Sequence, residues 1–441
     1  MADMKGDRPG SRSGEIRSLL RRPGFRYLYI AQTASVVGDA IIPIALAFAV
    51  LQLTGSPAAL GLVLAARILP TVVLLLIGGV IADRLPRRAV MMASDLTRFG
   101  SQALAGVLLL TGDANLASMI VLQLVAGTAA AFFQPASSGL LPEVVPAKDL
   151  QPANGLIQLS ENFAWTLGPA LGGLLVALVS PGAALIFDGV TFLISAIALW
   201  MLKVDRRAPS VQENPSILRE LRGGWTEFRT RTWLWTTVAW AGTFHLLVLP
   251  AWQIFGPSIA RDQLGGAPAW ALITTCSGLG SVLGGVIALR MRPRYLLRAS
   301  FVPLGMYGLQ LLALGLLAPV PVIAAAALVS NIGLSMFNVF SFTAMQQNVP
   351  IEAMGRVSSY EWLGSIALLP IGQALIAPIG SQTSPTTMLI VAAGWMAITP
   401  VLLFMIRSAR NLRAVDDESL AEAAAQQAEE AVEPDVRAQK V

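Results

Sequence analysis

The chain has 441 residues, of which 55% are hydrophobic and only 13% charged, with a formal net charge of +5 and a mean hydropathy of +0.64. A soluble domain carries about a quarter charged residues, so this composition excludes a soluble enzyme or binding domain and requires apolar surface to meet lipid. The single cysteine, Cys276, excludes an internal disulfide and a cysteine-built metal site. A pI near 9.7 does not signal nucleic acid, because the arginines flank apolar runs, where membrane topology requires them.

A helix needs roughly 20 mostly apolar residues to cross the hydrocarbon. Reading such runs between Gly, Pro and Ser breaks predicts spans at 28–53, 58–82, 90–110, 116–135, 153–179 and 182–202. After a polar stretch come 234–255, 268–289, 300–318, 321–345, 358–379 and 385–406. The first 24 residues are polar and basic, without the apolar core of a signal peptide, and read as an arm. The Ala- and Glu-rich end, with AEAAAQQAEEAVE, cannot bury a core and reads as a disordered tail.

The positive charges test this count of twelve. All but three of the 31 Lys and Arg fall in segments on the side that holds both termini. Of the three, Arg261 lies on the opposite side, and Arg67 and Arg98 fall inside spans. The positive-inside rule then makes both termini cytoplasmic. The excess of Arg over Lys and the abundant alanine fit a GC-rich bacterium, and hence a bacterial cytoplasmic (plasma) membrane.

The polar stretch 203–233 divides the spans six and six. GGVIA ends the second span at 78–82 and the eighth at 284–288, and Val145-Pro146 is echoed by Val349-Pro350 at nearly the same offset. Parallel repeats of this kind are a transporter architecture, with the binding site between the halves near the bilayer midplane. The expected organisation is an arm at 1–27, a six-helix bundle at 28–202, a central loop at 203–233, a second bundle at 234–407 and a tail at 408–441.

Asp83 ends the second span, where the helix C-terminus disfavours an acid and favours Arg84, Arg87 and Arg88. Those arginines can snorkel to lipid phosphates, whereas Asp83 needs a partner. One candidate is the start of the eleventh span, with Ser358-Ser359 as N-cap residues. In the second half Leu289 stands where the first has Asp83. The pattern Gly79-x-x-x-Asp83-Arg84-x-x-Arg87-Arg88 resembles the loop motif between helices 2 and 3 of the major facilitator superfamily, with Pro86 where the family usually has Gly. In the fifth span, Gly155, Ala164, Gly168-Pro169 and Gly172-Gly173 are spaced as in the superfamily's antiporter motif, with Ala replacing one glycine. Glycines so spaced let helices approach closely, and Pro169 forces a kink. The fourth span has Gln123-x-x-x-Gly127 where many members have Arg, which weakens a proton-relay role for that span. FRYLYIAQTASVVGDA and LTGSPAALGLVLAARILP further resemble the branch of enterobactin exporters and macrolide-efflux proteins. The fold this implies is all-α: twelve transmembrane helices in two pseudo-symmetric six-helix bundles, the major facilitator fold.

A charge at a helix centre costs about 2.5–3.5 kcal/mol on insertion scales, so each buried ion needs a reason. Asp39 and Arg67 lie at similar depth on the first helical hairpin, and a salt bridge follows. It either locks the hairpin or makes Asp39 the protonatable group. Glu161 lies at a depth close to Arg98 and is expected to pair with it. Asp188 in the sixth span reads as structural, Glu361 as favouring a helix N-terminus, and His245 as a hydrogen-bonded packing residue. The tryptophans at 233, 235, 240, 252 and 270 read mostly as interfacial anchors, with Trp240 and Trp252 candidates for an aromatic substrate wall.

The resemblance implies alternating access around a central site lined by helices 1, 4, 7 and 10. Asp39 then faces the cavity, and Arg67, Glu161 and Arg98 join it in proton and substrate coupling. Gln123, Trp240, His245, Asn331 and Asn338 are further cavity candidates, and Phe132, Phe133, Phe337 and Phe340 suggest an amphipathic cargo. The antiporter-like motif favours export of such molecules (drugs, macrolides, siderophores or natural products) by proton antiport. A proton-coupled importer of a small nutrient is the alternative. No HExxH, G-x-S-x-G or P-loop sequence appears, so neither an enzyme nor an ATP-driven pump is expected. The expected partners are a small molecule, protons and the bilayer, with no nucleic acid, metal or cofactor, for a chain working as a monomer.

Overall fold

Prolines and glycines set the ends of the helices. In the computed structural model α1 runs Pro23–Thr54, opened by Pro23 and closed by Gly55, whose φ of 67° is open to a residue without a Cβ. There follow α2 (Pro57–Arg84), α3 (Arg87–Thr111), α4 (Leu116–Val144), α5 (Leu150–Leu178) and α6 (Pro181–Met201). Asn115 and Ser180 cap α4 and α6 through their side chains. The second series is α7 (Thr232–Gln263), α8 (Ala267–Arg290), α9 (Leu296–Gly315), α10 (Val320–Asn348), α11 (Ile351–Ile366 continuing as Leu369–Gln382) and α12 (Pro385–Met405). The structure describes residues 18–146, 149–203 and 225–414, and within them the side chains of 75–84, 351–353, 355–356 and 381 are not described. The ends of the chain and the middle of the central loop therefore lie outside the described residues.

The helices outrun the apolar runs that predicted them. α4 continues to Val144 and α10 to Asn348, and α11 begins at Ile351, with Pro350 as its N-cap. Ser358 therefore sits two turns inside α11, and the expected Ser358-Ser359 cap is corrected: Pro350, lacking an N–H, ends one helix and starts the next at once. Breaks inside the second series also follow proline. α7 widens into a π-turn over Phe244–Val248 just before Pro250, and α11 is interrupted just before Pro370.

Ten of the twelve helices contain a described stretch long and apolar enough to cross a membrane. The other two are the most polar: α3 carries Arg87, Arg88, Asp95 and Arg98, and α5 carries Gln158, Glu161 and Asn162. Large apolar side chains such as Leu178, Trp200, Val401 and Met405 cover the outside, as a surface bathed in lipid requires.

Within the first series α1 packs on α5 and α6, α2 on α4, and α3 on α4 and α6; within the second, α8 packs on α10, α9 on α10 and α12, and α7 on α11. The two series meet where α2 lies against α11 and α5 against α8. These two contacts exchange under a twofold that carries the first six helices onto the last six.

The face away from the described ends of the chain is closed. Every residue of α1 from Ile44 to Leu51 is buried, and so is every residue of α7 from Ile254 to Ala260. Arg261 Nη1 donates to the Leu51 carbonyl across the halves at 2.5 Å. At the α5–α8 crossing a Cβ on Gly173 would overlap Ala271, and at α2–α11 one on Gly61 would overlap the Gln373 carbonyl. The halves part toward the face that holds the described ends, where Gln134, Met345 and Glu361 border an open cavity.

Candidate functional site: a two-faced central cavity

The cavity has a volume of about 1120 Å³, above the usual range of drug-sized pockets. Its walls differ. The first half presents the charged groups Asp39, Arg67 and Arg98 with Thr71, Phe133 and Trp165; the second presents most of the rings, Trp240, Phe244, His245, Trp252, Tyr307 and Phe337, together with Asn331, Asn338 and Glu361.

The charged wall is built from helix periodicity. Asp95, Arg98 and Gln102 recur at three- and four-residue steps along one stripe of α3, as Asp188, Thr191 and Ser195 do on α6. Since α1, α3 and α6 pack together, these stripes meet Ser35 and Asp39. Arg67 Nη2 lies 3.0 Å from Asp39 Oδ1, and Arg67 Nη1 donates to Gln123 Oε1 at 2.9 Å. Gln123 Nε2 in turn donates to Gln102 Oε1 at 2.8 Å. Arg98 also bonds Asp39 Oδ1 through Nη2, donates to Ser35 Oγ at 3.2 Å and reaches Asp95 Oδ1 at 3.8 Å. Its guanidinium lies 3.7 Å from the centroid of the Phe192 ring. Ser195 Oγ donates to Asp95 Oδ2 at 2.5 Å. Arg98 thus finds anions, a hydroxyl and an aromatic face in place of water, the arrangement that makes a buried guanidinium tolerable.

Asp39, Arg67 and Arg98 are therefore one cluster, and Glu161 is not part of it. Glu161 accepts from Gln158 Nε2 at 3.3 Å, and the expected Glu161–Arg98 pair is corrected. Equal depth does not fix azimuth: α5 packs on α1 and α8, whereas α3 packs on α4 and α6. Asp95 was missed, although its place one turn before Arg98 was the available signal. Asp188, read as a structural residue of a peripheral helix, is wholly buried against α1 and α3. Gln123 is also fully buried and stands behind Arg67, not at the cavity wall.

In the aromatic wall Trp240 stacks with Phe244 and Trp395 and meets Phe337 edge-on, with centroid distances of 5.5, 6.1 and 4.9 Å. Its Nε1 donates to Thr399 Oγ1 at 3.1 Å. Trp252 and Trp270 are buried against each other at 4.7 Å. Trp233, Trp240, Trp252 and Trp270 line the cavity; Trp240 and Trp252 are the expected wall candidates, and Trp233 and Trp270 are corrected from interfacial anchors. His245 Nδ1 donates to the Ala241 carbonyl at 2.8 Å while the ring borders the cavity. Asn331 Nδ2 donates to the Ala327 carbonyl at 2.9 Å and Gln310 Oε1 at 3.2 Å. Phe133 and Phe337 line the cavity, and Phe340 is buried in the core.

The two motifs occupy helix junctions. The helix continues through Gly79, Asp83 and Arg84, but their side chains, and with them any Asp83 partner, lie outside the described residues. Arg87 Nη1 donates to the Gly139 carbonyl at 2.5 Å and lies 3.2 Å from Glu143 Oε1. Arg88 donates to the Leu199 and Trp200 carbonyls at 2.7 and 2.6 Å. These two arginines hold the C-terminal ends of α4 and α6, which corrects the expectation that they turn to lipid. In α5 a Cβ on Gly168 would overlap Ala40 of α1, and Gly172 lies against Ile41. Gly155 has no neighbour at its Cβ position within 4 Å. The helix continues through Pro169, which lines the cavity.

The sequence is 23% identical to macrolide efflux protein A of Streptococcus pyogenes, over 88% of this chain and 97% of that protein. It is 27% identical to the multidrug efflux pump Tap of Mycobacterium tuberculosis, over 82% of this chain and 88% of that protein. The fold is similar to the inward-facing, unoccupied structure of a bacterial homologue of the human lysosomal transporter Spinster (TM-score 0.67, 14% identity, covering 92% of this chain and 98% of that one). It is also similar to an inward-facing bacterial homologue of the iron transporter ferroportin (TM-score 0.67, 17% identity, covering 88% and 99%). The match to the Major Facilitator Superfamily itself runs over residues 28–364, through all of the first helical series and most of the second. With twelve long helices among the described residues, in two related series around a central cavity, the chain belongs to the Major Facilitator Superfamily and is a multi-pass membrane transporter.

Proposed function

We propose that this protein exports amphipathic small molecules across a bacterial cytoplasmic membrane by alternating access, in exchange for protons. The observation that carries the reading is the cavity with an aromatic wall on one half and the Asp39–Arg67–Arg98 cluster on the other. An aromatic wall takes many apolar shapes, and a buried ion cluster beside it gives proton binding a route to affect cargo binding. The bias of Lys and Arg assigns the open face to the cytoplasm, so the cavity is set to load from inside. The names of the macrolide and multidrug efflux relatives favour outward movement of the cargo. One charge crossing 100 mV releases about 2.3 kcal/mol, more than the ~1.4 kcal/mol of a tenfold cargo gradient.

In this reading the Asp39–Arg67–Arg98 cluster couples cargo and proton, with the two arginines as counter-charges of Asp39. The Gly79–Arg88 loop gates the cytoplasmic face, Gly168 and Gly172 hold α5 on α1, and Gly173 lies at the contact on which the halves rock. One chain encloses the whole cavity, so a monomer suffices.

Everted membrane vesicles with an imposed acid-inside gradient test it, with radiolabelled erythromycin and ethidium as probes. Wild-type vesicles should accumulate at least one probe, lose it when the gradient is collapsed, and fail to accumulate in Asp39→Asn at equal expression. Gradient-independent uptake would remove proton exchange. Uptake only into right-side-out vesicles under an inward proton gradient would establish the importer instead.

A further inference from the structure

The first half holds more acid than its arginines match. Three carboxyls, Asp39, Asp95 and Asp188, stand with two guanidinium groups, Arg67 and Arg98. Both arginines close on Asp39, and only Arg98 approaches Asp95, whose other oxygen accepts from Ser195. Asp188 has 0% exposure, and among the described residues neither of its oxygens accepts a hydrogen bond. Gln102 lies beside it, yet its Nε2 closes no well-formed bond. Asp188 is pressed on the α1 backbone at Gly38, where an added Cβ would stand 2.3 Å from Asp188 Oδ1 and 2.1 Å from Thr191 Oγ1. The charged groups around it are Asp39 from α1, Arg67 from α2, and Arg98 with its partner Asp95 from α3.

A buried carboxylate that accepts no hydrogen bond and forms no direct ion pair is among the least tolerable groups in a protein interior, and the two arginines near Asp188 are already closed on Asp39. One bound proton removes that charge and also brings the three-acid, two-arginine cluster to neutrality. We propose that Asp188, rather than Asp39, binds and releases the coupling proton. This rests on the proton-exchange reading above and names the group within it. Asp188 takes a proton onto a carboxylate oxygen and gives it back to cavity water, with no other bond made or broken. Asp39 and Arg98 line the cavity and Asp188 does not, so the proton passes them on its way. Asp39 is then a positioning residue, the shared counter-charge of both arginines. Release at Asp188 adds one negative charge beside Arg98 and weakens the hold of Asp39 on that guanidinium, which is how the proton reaches the cavity wall.

Infrared pH-difference spectra of the reconstituted protein, without cargo, test the assignment. Wild type should show one titrating carboxylic C=O band above the amide I region. The band should vanish in Asp188→Asn, persist in Asp39→Asn and Asp95→Asn, and return shifted in Asp188→Glu. Potentiometric titration should find one proton fewer per chain in Asp188→Asn. A band that survives Asp188→Asn, or one lost in Asp95→Asn or Asp39→Asn instead, overturns the proposal. If Asp188→Asn does not fold, an unshifted band in Asp188→Glu overturns it equally. In everted vesicles Asp188→Asn should lose pH-driven accumulation of the transported probe, and accumulation equal to wild type would overturn the proposal. A wild type that moves neither erythromycin nor ethidium would undo the export reading, while the infrared result would still decide whether Asp188 binds the proton.

Discussion

Arg98 shows how one residue is kept charged in the middle of a membrane protein. It is 2% exposed and spreads its donors over Asp39, Ser35 and Asp95 while its plane covers Phe192. Lysine cannot reproduce that set, since an ammonium has neither the plane nor the fork. Arg98→Ala leaves the buried Asp95 without its counter-ion, and breaking a buried pair from one side costs about 3–5 kcal/mol. The expected result is a fall in detergent-solubilised yield and thermal midpoint for Arg98→Ala, and a smaller fall for Arg98→Lys. A midpoint for Arg98→Lys equal to wild type would reduce the arginine to a point charge.

Among the helices, α5 does two jobs along one stripe of small residues. Gly168 and Gly172 seat it on α1, and Gly173 seats it on Ala271 of α8 in the other half. The first contacts lie within a half, whereas the third joins the halves and has to open for the distal face to open in the proposed cycle. Gly173→Val therefore weakens distal closure without disturbing the α1 contact. In a Cys276→Ala background, a cysteine at buried Ser258 should react with a membrane-impermeant maleimide faster in the presence of Gly173→Val. Each ~1.4 kcal/mol of lost closure is worth a tenfold rise. Unchanged labelling would make the α5–α8 crossing a passive contact.

At the scale of the whole molecule, distal closure joins two apolar helix ends by a polar latch. Arg261 is the one cation on that side of the predicted spans, and it gives Nη1 to the Leu51 carbonyl while Nε and Nη2 hold Asp262. Hydrogen bonds from charged groups contribute about 1.5–3 kcal/mol, enough to shift a balanced equilibrium by ten- to a hundredfold. Arg261→Ala should move the distribution between spin labels on the distal ends of α1 and α7 toward longer distances. An unchanged distribution would place closure entirely in the apolar packing of Ile44–Leu51 and Ile254–Ala260.

The sequence by itself determined that the chain is a multi-pass membrane protein and where its twelve long helices run, ten of them apolar enough along their described residues to cross a membrane, because the length of an apolar run and the placement of charge are one-dimensional quantities with a direct energetic reading. It also brought Asp39 and Arg67 to a common depth, since depth follows from residue count at fixed rise per residue. Azimuth has no such reading. Only the packing of α1 against α5 and α6, and of α3 against α4 and α6, decided that Arg98 meets Asp39 and Asp95 and not Glu161. Packing likewise turned Arg87 and Arg88 onto helix ends, set Trp233 and Trp270 into the cavity wall and left Asp188 buried with no hydrogen bond to its carboxylate oxygens among the described residues. Which side chain faces which is a property of neighbouring helices, and those neighbours are assigned only when the chain has closed around its cavity.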